Sequence, residues 1–217
     1  MYNDEEALSY YNDALEIRRR ILGKNNLDVA NCYLGIGDIY NCKGNYDEAL
    51  KIYLKALNIE ERVYSKNKNN LDLAECFGNV ASVYAELGEF DKSIINFRKK
   101  LEIFENLYEE DNIELAKVYY DLGSALYLND DLKEALDYYL KSIKIREKKS
   151  LELKEDRITA IYYNQIGIIY NGLGYLDRSL EYFNKALRIF KKIDEPDSDD
   201  IKKIQRNVRK VNKKIFK

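Results

Sequence analysis

The sequence predicts an all-α protein in which antiparallel helical hairpins stack into an α-solenoid. A short turn motif supports this prediction. It has Gly or Asp at its first position, an aromatic residue or Leu at the third, and Ala or Ser at the sixth, and it returns at steps of 44, 42 and 44 residues. Its four copies begin at Gly44, Gly88, Asp130 and Gly174. Apolar residues recur at helical spacing on both sides of each copy, which indicates two helices joined by a turn.

The helix before each turn has apolar residues at positions 0, +3 and +7 and a small residue at +4. In the first complete unit these are Tyr33, Ile36 and Tyr40, with Gly37 as the small residue. The later units have Phe77, Val80, Tyr84 and Ala81; Tyr119, Leu122, Leu126 and Gly123; and Tyr163, Ile166, Tyr170 and Gly167. This spacing is typical of a helix, because apolar residues in a half-buried strand alternate instead.

The helix after each turn carries Ala or Ser and then an aromatic residue four positions on, as at Ala49 and Tyr53. The small residues predict a close crossing within the hairpin, with Gly37 near Ala49. A mid-helix Gly costs about 1 kcal/mol relative to Ala, so close packing is its expected compensation. Aromatic residues such as Tyr40 and Tyr53 are expected to fill the core. Asp130 replaces the turn glycine in the third copy, which predicts a looser turn there.

Both ends of the sequence differ from the complete unit. The first residues contain only its second half, with Ala7, Tyr11 and Ala14 in register at a step of 42 residues. We therefore predict a solenoid over residues 1–193 and a terminal helix over residues 198–217. The solenoid divides into a half unit at 1–24 and complete units at 26–66, 70–109, 112–149 and 156–193.

The terminal segment predicts a basic amphipathic helix. Ser198 suits an N-cap, and Asp199 and Asp200 suit the positive end of the helix dipole. Its apolar face holds Ile201, Ile204, Val208, Val211 and Ile215, and its basic face holds Lys202, Lys203, Arg206, Arg209, Lys210, Lys213 and Lys214. Such a helix can cap the last hairpin, or present its basic face to an acidic partner, a membrane surface or nucleic acid, and the two roles are compatible.

Composition excludes several classes of function. The chain has no histidine, which excludes Cys/His zinc sites and Ser-His-Asp or Cys-His catalysis. There is no Walker-type loop, GxGxxG motif or metal-ligand spacing, so we predict no enzyme activity, cofactor, metal or small-molecule substrate. The formal net charge of −2 makes nucleic acid an unfavourable partner for the whole chain. No apolar run is long enough for a membrane span, and three cysteines without disulfide spacing are expected to be reduced, so we predict a cytoplasmic protein.

The repeated pattern resembles the tetratricopeptide repeat family. The resemblance covers about residues 3 to 193 and rests on Tyr33, Gly37, Tyr40, Gly44, Tyr46, Ala49, Tyr53, Ala56 and their counterparts in the later units. The common repeat has 34 residues, and the units here are eight to ten residues longer. In this respect they look most like the repeats of kinesin light chains. The resemblance implies a right-handed superhelix of about four and a half repeats, with the first helix of each hairpin on the concave side.

A rotation of 100° per residue places one set of side chains on the face opposite the core of those first helices. We call this set the inner row. It comprises Asn31, Leu34, Asp38, Asn41, Glu75, Asn79, Ser82, Glu86, Lys117, Tyr120, Asp121, Ser124, Tyr127, Asn164, Gln165, Ile168 and Asn171. Amides and hydroxyls can hydrogen-bond an extended peptide, and Tyr adds contact area. The family resemblance singles out Asn79 and Asn164 as peptide-holding positions.

These features predict an adaptor that holds a partner peptide or helix in its concave groove. The four acids of the inner row face Lys117 alone, so a neutral to basic partner is expected. Two alternatives remain open at this point. One is a regulatory domain that senses a peptide, and the other is a scaffold part that self-associates through the N-terminal half repeat or the C-terminal helix.

Overall fold

A computed structural model describes residues 4–149, 156–195 and 198–216. Within those ranges the chain forms ten α-helices and no strand. They are α1 (Asp4–Leu22), α2 (Leu27–Cys42), α3 (Tyr46–Val63), α4 (Leu71–Glu86), α5 (Phe90–Leu107), α6 (Ile113–Leu128), α7 (Leu132–Lys149), α8 (Arg157–Gly172), α9 (Leu176–Ile193) and α10 (Asp199–Ile215).

The helices group into two compact units, the first ending at Tyr108 and the second beginning at Glu109. In unit 1, α2 pairs with α3 and α4 with α5, while α1 packs on α2 and α3 on α4. In unit 2, α6 pairs with α7 and α8 with α9, α7 packs on α8, and α10 packs on α9 and touches α8. We call α2, α4, α6 and α8 the A helices. The B helices are α3, α5, α7 and α9, together with α1, which has their sequence register.

Every A helix begins with an Asn or Asp side chain that accepts a hydrogen bond from a backbone N–H of the first turn. The four caps recur at the repeat spacing and are Asn26, Asn70, Asn112 and Asp156. Such caps are worth about 1 kcal/mol each because they satisfy N–H groups that have no partner within the helix. The caps therefore determine the residue at which each polar loop ends and the next A helix begins.

The turns within the hairpins all use one residue with a left-handed backbone. Gly44, Gly88 and Gly174 have φ of 73°, 75° and 84°. Asp130 has φ of 65°, and the N–H of Asp131 reaches back five residues to a carbonyl, as in the glycine turns. The sequence-based expectation of a looser third turn is therefore wrong. Asp tolerates this backbone region better than most residues with a Cβ atom, so the turn keeps its geometry.

Three of the four A helices, α2, α6 and α8, approach their B helix where a glycine faces an aromatic ring. A Cβ atom added at Gly37 would lie 2.5 Å from the ring of Tyr53, and one added at Gly167 would lie 2.7 Å from the ring of Phe183. The sequence predicts that Gly37 lies close to Ala49. The atoms nearest to Gly37 belong instead to the ring of Tyr53, four residues after Ala49. A larger side chain at these glycines would force the two helices apart.

A second contact repeats in all four complete hairpins, between a B-helix lysine and the aromatic residue at position 0 of the A helix. The ammonium lies 4.8–5.6 Å from the ring centroid. The pairs are Lys55 with Tyr33, Lys99 with Phe77, Lys141 with Tyr119, and Lys185 with Tyr163. An exposed cation–π contact contributes about 0.5–1 kcal/mol. In each of these four pairs the lysine side chain lies over the aromatic ring of the A helix.

The contacts between a B helix and the next A helix bury charged groups. In unit 2, the guanidinium of Arg146 donates to the carboxylate of Asp156 and is satisfied. In unit 1, Glu60 occupies the equivalent position and is 1% exposed. Its Oε2 atom has no hydrogen-bond partner among the residues that the structure describes. Burial raises the pKa of Glu60; the adjacent thiol of Cys76 opposes that rise, and Asp72 adds to it.

The buried carboxyl of Glu60 makes stability depend on pH. Its folded-state pKa lies above the ordinary carboxyl value, so protonation favours the folded state and stability falls as pH rises through that pKa. We expect Glu60→Met, which keeps the volume and removes the charge, to raise the free energy of unfolding by about 1–3 kcal/mol at pH 7 and by less at pH 4.5. Urea unfolding at both pH values measures this. A variant less stable than the wild type at pH 7, or a gap independent of pH, contradicts it.

Candidate partner-binding face

The seventeen residues of the inner row lie on the four A helices, eight in unit 1 and nine in unit 2. Those with well-exposed side chains are Asn31, Asp38, Glu75, Ser82, Glu86 and Lys117. Those partly exposed are Leu34, Asn41, Asn79, Tyr120, Asp121, Ser124, Tyr127, Gln165, Ile168 and Asn171. Asn164 is buried, at 8% exposure. Most of the row is therefore accessible within its own unit.

Two acids of the unit 1 row are held by tyrosines of α3. The hydroxyl of Tyr53 donates to Oδ1 of Asp38 at 2.6 Å. Burial, together with that carboxylate, raises the pKa of Tyr53 well above its usual range. The charge of Glu86 and its hydrogen bond with Tyr46 raise the pKa of that tyrosine as well. The carboxylate of Asp38 therefore has a fixed position, and part of the hydrogen-bonding capacity of both acids is used within the fold.

The third acid of this row meets a lysine that reaches it from the helix behind. The ammonium of Lys100, on α5, lies 2.9 Å from Oε2 of Glu75, on α4. The Lys100 side chain is 5% exposed, whereas that of Glu75 is 56% exposed. Gly78 leaves room for the lysine, because a Cβ atom there would lie 2.9 Å from its ammonium. The inner row of unit 1 thus carries a positive charge that comes from a B helix.

Sequence reasoning missed this role of Lys100. The other complete hairpins have Ala56, Ser142 and Ala186 at the same position, each with no exposed surface. The available signal was that Lys100 is a long charged residue at a position where the other hairpins have a small one. To interpret that signal, one must also know that Gly78 lies next to Lys100, and only the folded structure shows this.

An aromatic cluster organises the inner row of unit 2. The ring of Tyr120 stacks on that of Tyr162 with centroids 3.9 Å apart, and it lies 5.1 Å from that of Tyr139. The hydroxyls of Tyr139 and Ser124 are 2.8 Å apart. Burial raises the pKa of Tyr120, an effect that a hydrogen bond with Gln165 partly offsets. Tyr120 therefore joins α6 to α8, and Tyr127, about two turns further along α6, is a partly exposed aromatic residue beside this cluster.

The C-terminal helix reaches the last part of the row. The amide of Asn207 lies 3.5 Å from Oδ1 of Asn164, and the ammonium of Lys214 donates to Oδ1 of Asn171 at 2.8 Å. Both pairs are separated by 43 residues, close to the repeat step. Asn164, which the sequence placed on an open face, is therefore covered in this structure. The buried apolar face of α10, at residues such as Ile204, holds the helix in that position.

The potential metal ligands among the described residues do not cluster, and the thiols have distinct environments. Nowhere in the described ranges do three or more Cys, Asp or Glu side chains gather as metal ligands would. Cys32 and Cys76 are buried free thiols and Cys42 is an exposed one. Burial raises the pKa of Cys76 well above its usual range, which makes that thiol a poor nucleophile. Within the same ranges, every helix is too short or too polar to cross a membrane.

The ion pair between Glu75 and Lys100 is expected to be asymmetric. Glu75→Gln leaves a nearly buried ammonium without its counter-charge, so we expect a loss of about 1–3 kcal/mol in the free energy of unfolding. Lys100→Met keeps the stem and leaves an exposed carboxylate that water can solvate, so we expect a change of less than about 1 kcal/mol. Urea unfolding of both variants tests this. Equal losses, or a larger loss for Lys100→Met, would show that the lysine is not held as described.

Comparison with known proteins places the chain in a family. Tetratricopeptide repeat models match residues 3–71, 72–148 and 160–192. None of the curated protein sequences matches the chain significantly.

Solved structures show the same fold. BtubC (BKLC) from P. vanneervenii is 19% identical, with a TM-score of 0.75 over 98% of this chain and 84% of that one. A Podosopora anserina putative kinesin light chain with nearly identical TPR-like repeats is 14% identical, with a TM-score of 0.75 over 90% of each chain. MamA is 20% identical, with a TM-score of 0.54 over 86% of this chain and 88% of that one.

These likenesses confirm the all-α solenoid class that the sequence predicts. The tetratricopeptide repeat models cover most of the chain. The chain belongs to the tetratricopeptide repeat family.

Proposed function

We propose that the chain is a non-enzymatic protein-interaction module and that a peptide or helix of its partner binds along the inner row. Tetratricopeptide repeat proteins generally act as scaffolds for other proteins, which supports the coarse assignment. The observation that favours the inner row is its chemistry. It combines accessible amides and hydroxyls with a partly exposed Tyr127, on helices whose opposite faces are buried against the B helices.

Fixed acceptors support a role in recognition. Asp38 and Glu75 are held by groups of the B helices, so a ligand would meet them already oriented. A preorganised group loses less conformational entropy on binding than a mobile one. Asn79 and Ser82, one and two turns after Glu75 on α4, add an amide and a hydroxyl on partly exposed and exposed surface. On this proposal, Asn79 is the strongest single contact in unit 1 and Tyr127 in unit 2.

The charge of the row favours a neutral to basic partner. Its four acids are accompanied by three cations, which are Lys117 on α6, Lys100 from α5 and Lys214 from α10. The balance is weakly negative, and complementary charge mainly affects association rate and specificity. The three free cysteines suit a reducing compartment, so we place the proposed activity in the cytoplasm.

Paired variants test the proposal. We expect Tyr127→Ala to weaken capture of the partner from a lysate of the source organism by roughly thirtyfold, the effect of about 2 kcal/mol at a binding hot spot. Tyr175→Ala is the matched control, because Tyr175 is an exposed tyrosine of the same unit outside the row. In unit 1, Asn79→Ala is compared with Asn58→Ala, whose amide is exposed on a B helix. Circular dichroism confirms that all four variants keep their helices.

The two outcomes are distinct. Loss of a captured protein with Tyr127→Ala or Asn79→Ala, but not with the controls, supports binding along the row. Equal capture by all variants would place the binding surface elsewhere and contradict the proposal.

A further inference from the structure

Helix α1 leaves partly uncovered the face that other B helices bury. Ala49, Tyr53 and Ala56 of α3 are at most 2% exposed, because α2 lies against them. Their counterparts 42 residues earlier belong to α1, in which no residue is buried. Ile17 is 49% exposed, whereas its counterpart Ile59 is 5% exposed.

The uncovered residues form one apolar strip. Tyr10, Ile17 and Ile21 are 67%, 49% and 70% exposed. Their spacings of seven and four residues place them on the same side of the helix, with Ala14 between them. The neighbouring helix α2 contacts a different side, where the ring of Tyr11 lies against Gly35 and Arg18 donates to a backbone carbonyl of α2. Three large apolar side chains in line on one helix are an unusual surface to leave in water.

Charged residues beside the strip indicate what covers it. Glu6, Asp13 and Arg20 follow each other at steps of seven and so lie nearly in line next to Tyr10 and Ile17. Glu6 is in the first turn of α1 and Arg20 is in its last turn, and both side chains are exposed. A second α1 in antiparallel orientation would place its Arg20 beside Glu6 and its Glu6 beside Arg20. In a parallel arrangement each residue would face its own copy, and every pair would repel.

We propose that α1 is a dimerisation helix, which pairs antiparallel with α1 of a second copy of this chain along the strip of Tyr10, Ile17 and Ile21. The two-fold axis generates two Glu6–Arg20 ion pairs from one sequence, as an isologous interface requires. Asp13 lies near the axis and approaches Asp13 of the second copy, which opposes association. A single pair of 19-residue helices is a small interface, so the dimer is weak and reversible.

Charge exchange tests the pairing directly. Sedimentation equilibrium of the full chain is expected to show a mass that rises from 25.6 kDa toward twice that value between about 1 and about 300 µM. Glu6→Arg alone and Arg20→Glu alone are each expected to remain monomeric, because like charges then meet at both ends. An equimolar mixture of the two variants is expected to associate, since each supplies the charge the other lacks. The double variant should also regain self-association.

Further variants separate the interface from folding. Ile17→Glu is expected to abolish association and Asp13→Asn to strengthen it severalfold. Ile95→Glu is the matched control, since Ile95 is 55% exposed on α5, and it should associate as the wild type does. A wild-type mass that stays at 25.6 kDa throughout, or a mixture that remains monomeric while the wild type associates, would overturn the proposal.

Discussion

The contact of a B-helix aromatic ring with a glycine of the A helix is the constraint on which the rest of the structure depends. Gly37 and Tyr53 show it in unit 1, and Gly167 and Phe183 in unit 2. The ring occupies the space where a side chain of the A helix would stand, so the two helices interlock at one register. This contact determines which side of the A helix is buried, and it therefore also determines which side faces away from the B helix. The inner row is that opposite side.

The same contact influences which residues the inner row carries. Where the B-helix ring is a tyrosine, its hydroxyl emerges beside the row and needs a partner, which is Asp38 for Tyr53 and Ser124 for Tyr139. A buried hydroxyl without a partner would cost about 1–3 kcal/mol. Ser82 and Ser124 both donate to a backbone carbonyl of their own helix, and Ser124 in addition meets the hydroxyl of Tyr139. Some row residues therefore serve the fold as well as any ligand, and polarity on this face is not by itself a sign of binding.

Much of the fold could be predicted from the sequence because it depends on local spacing. The turn motif and the apolar positions before it predict every hairpin, and the repeated Asn and Asp caps mark where the A helices begin. The candidate face was harder to predict, because its properties arise between helices. Nothing within α5 indicates that Lys100 would reach Glu75 through the space left by Gly78. Burial of Asn164 likewise depends on how α10 packs, beyond its amphipathic pattern.

We propose that a partner lies against the A helices. Site-specific photocrosslinking tests this proposal most directly. A photoreactive phenylalanine derivative replaces Tyr127 in one preparation and Tyr175, which is 59% exposed outside the row, in another. Both preparations are irradiated in the same lysate. We expect a discrete covalent adduct between the chain and its partner with the Tyr127 replacement and none with the Tyr175 replacement. Adducts of equal yield at both positions, or an adduct at Tyr175 alone, would contradict the proposal.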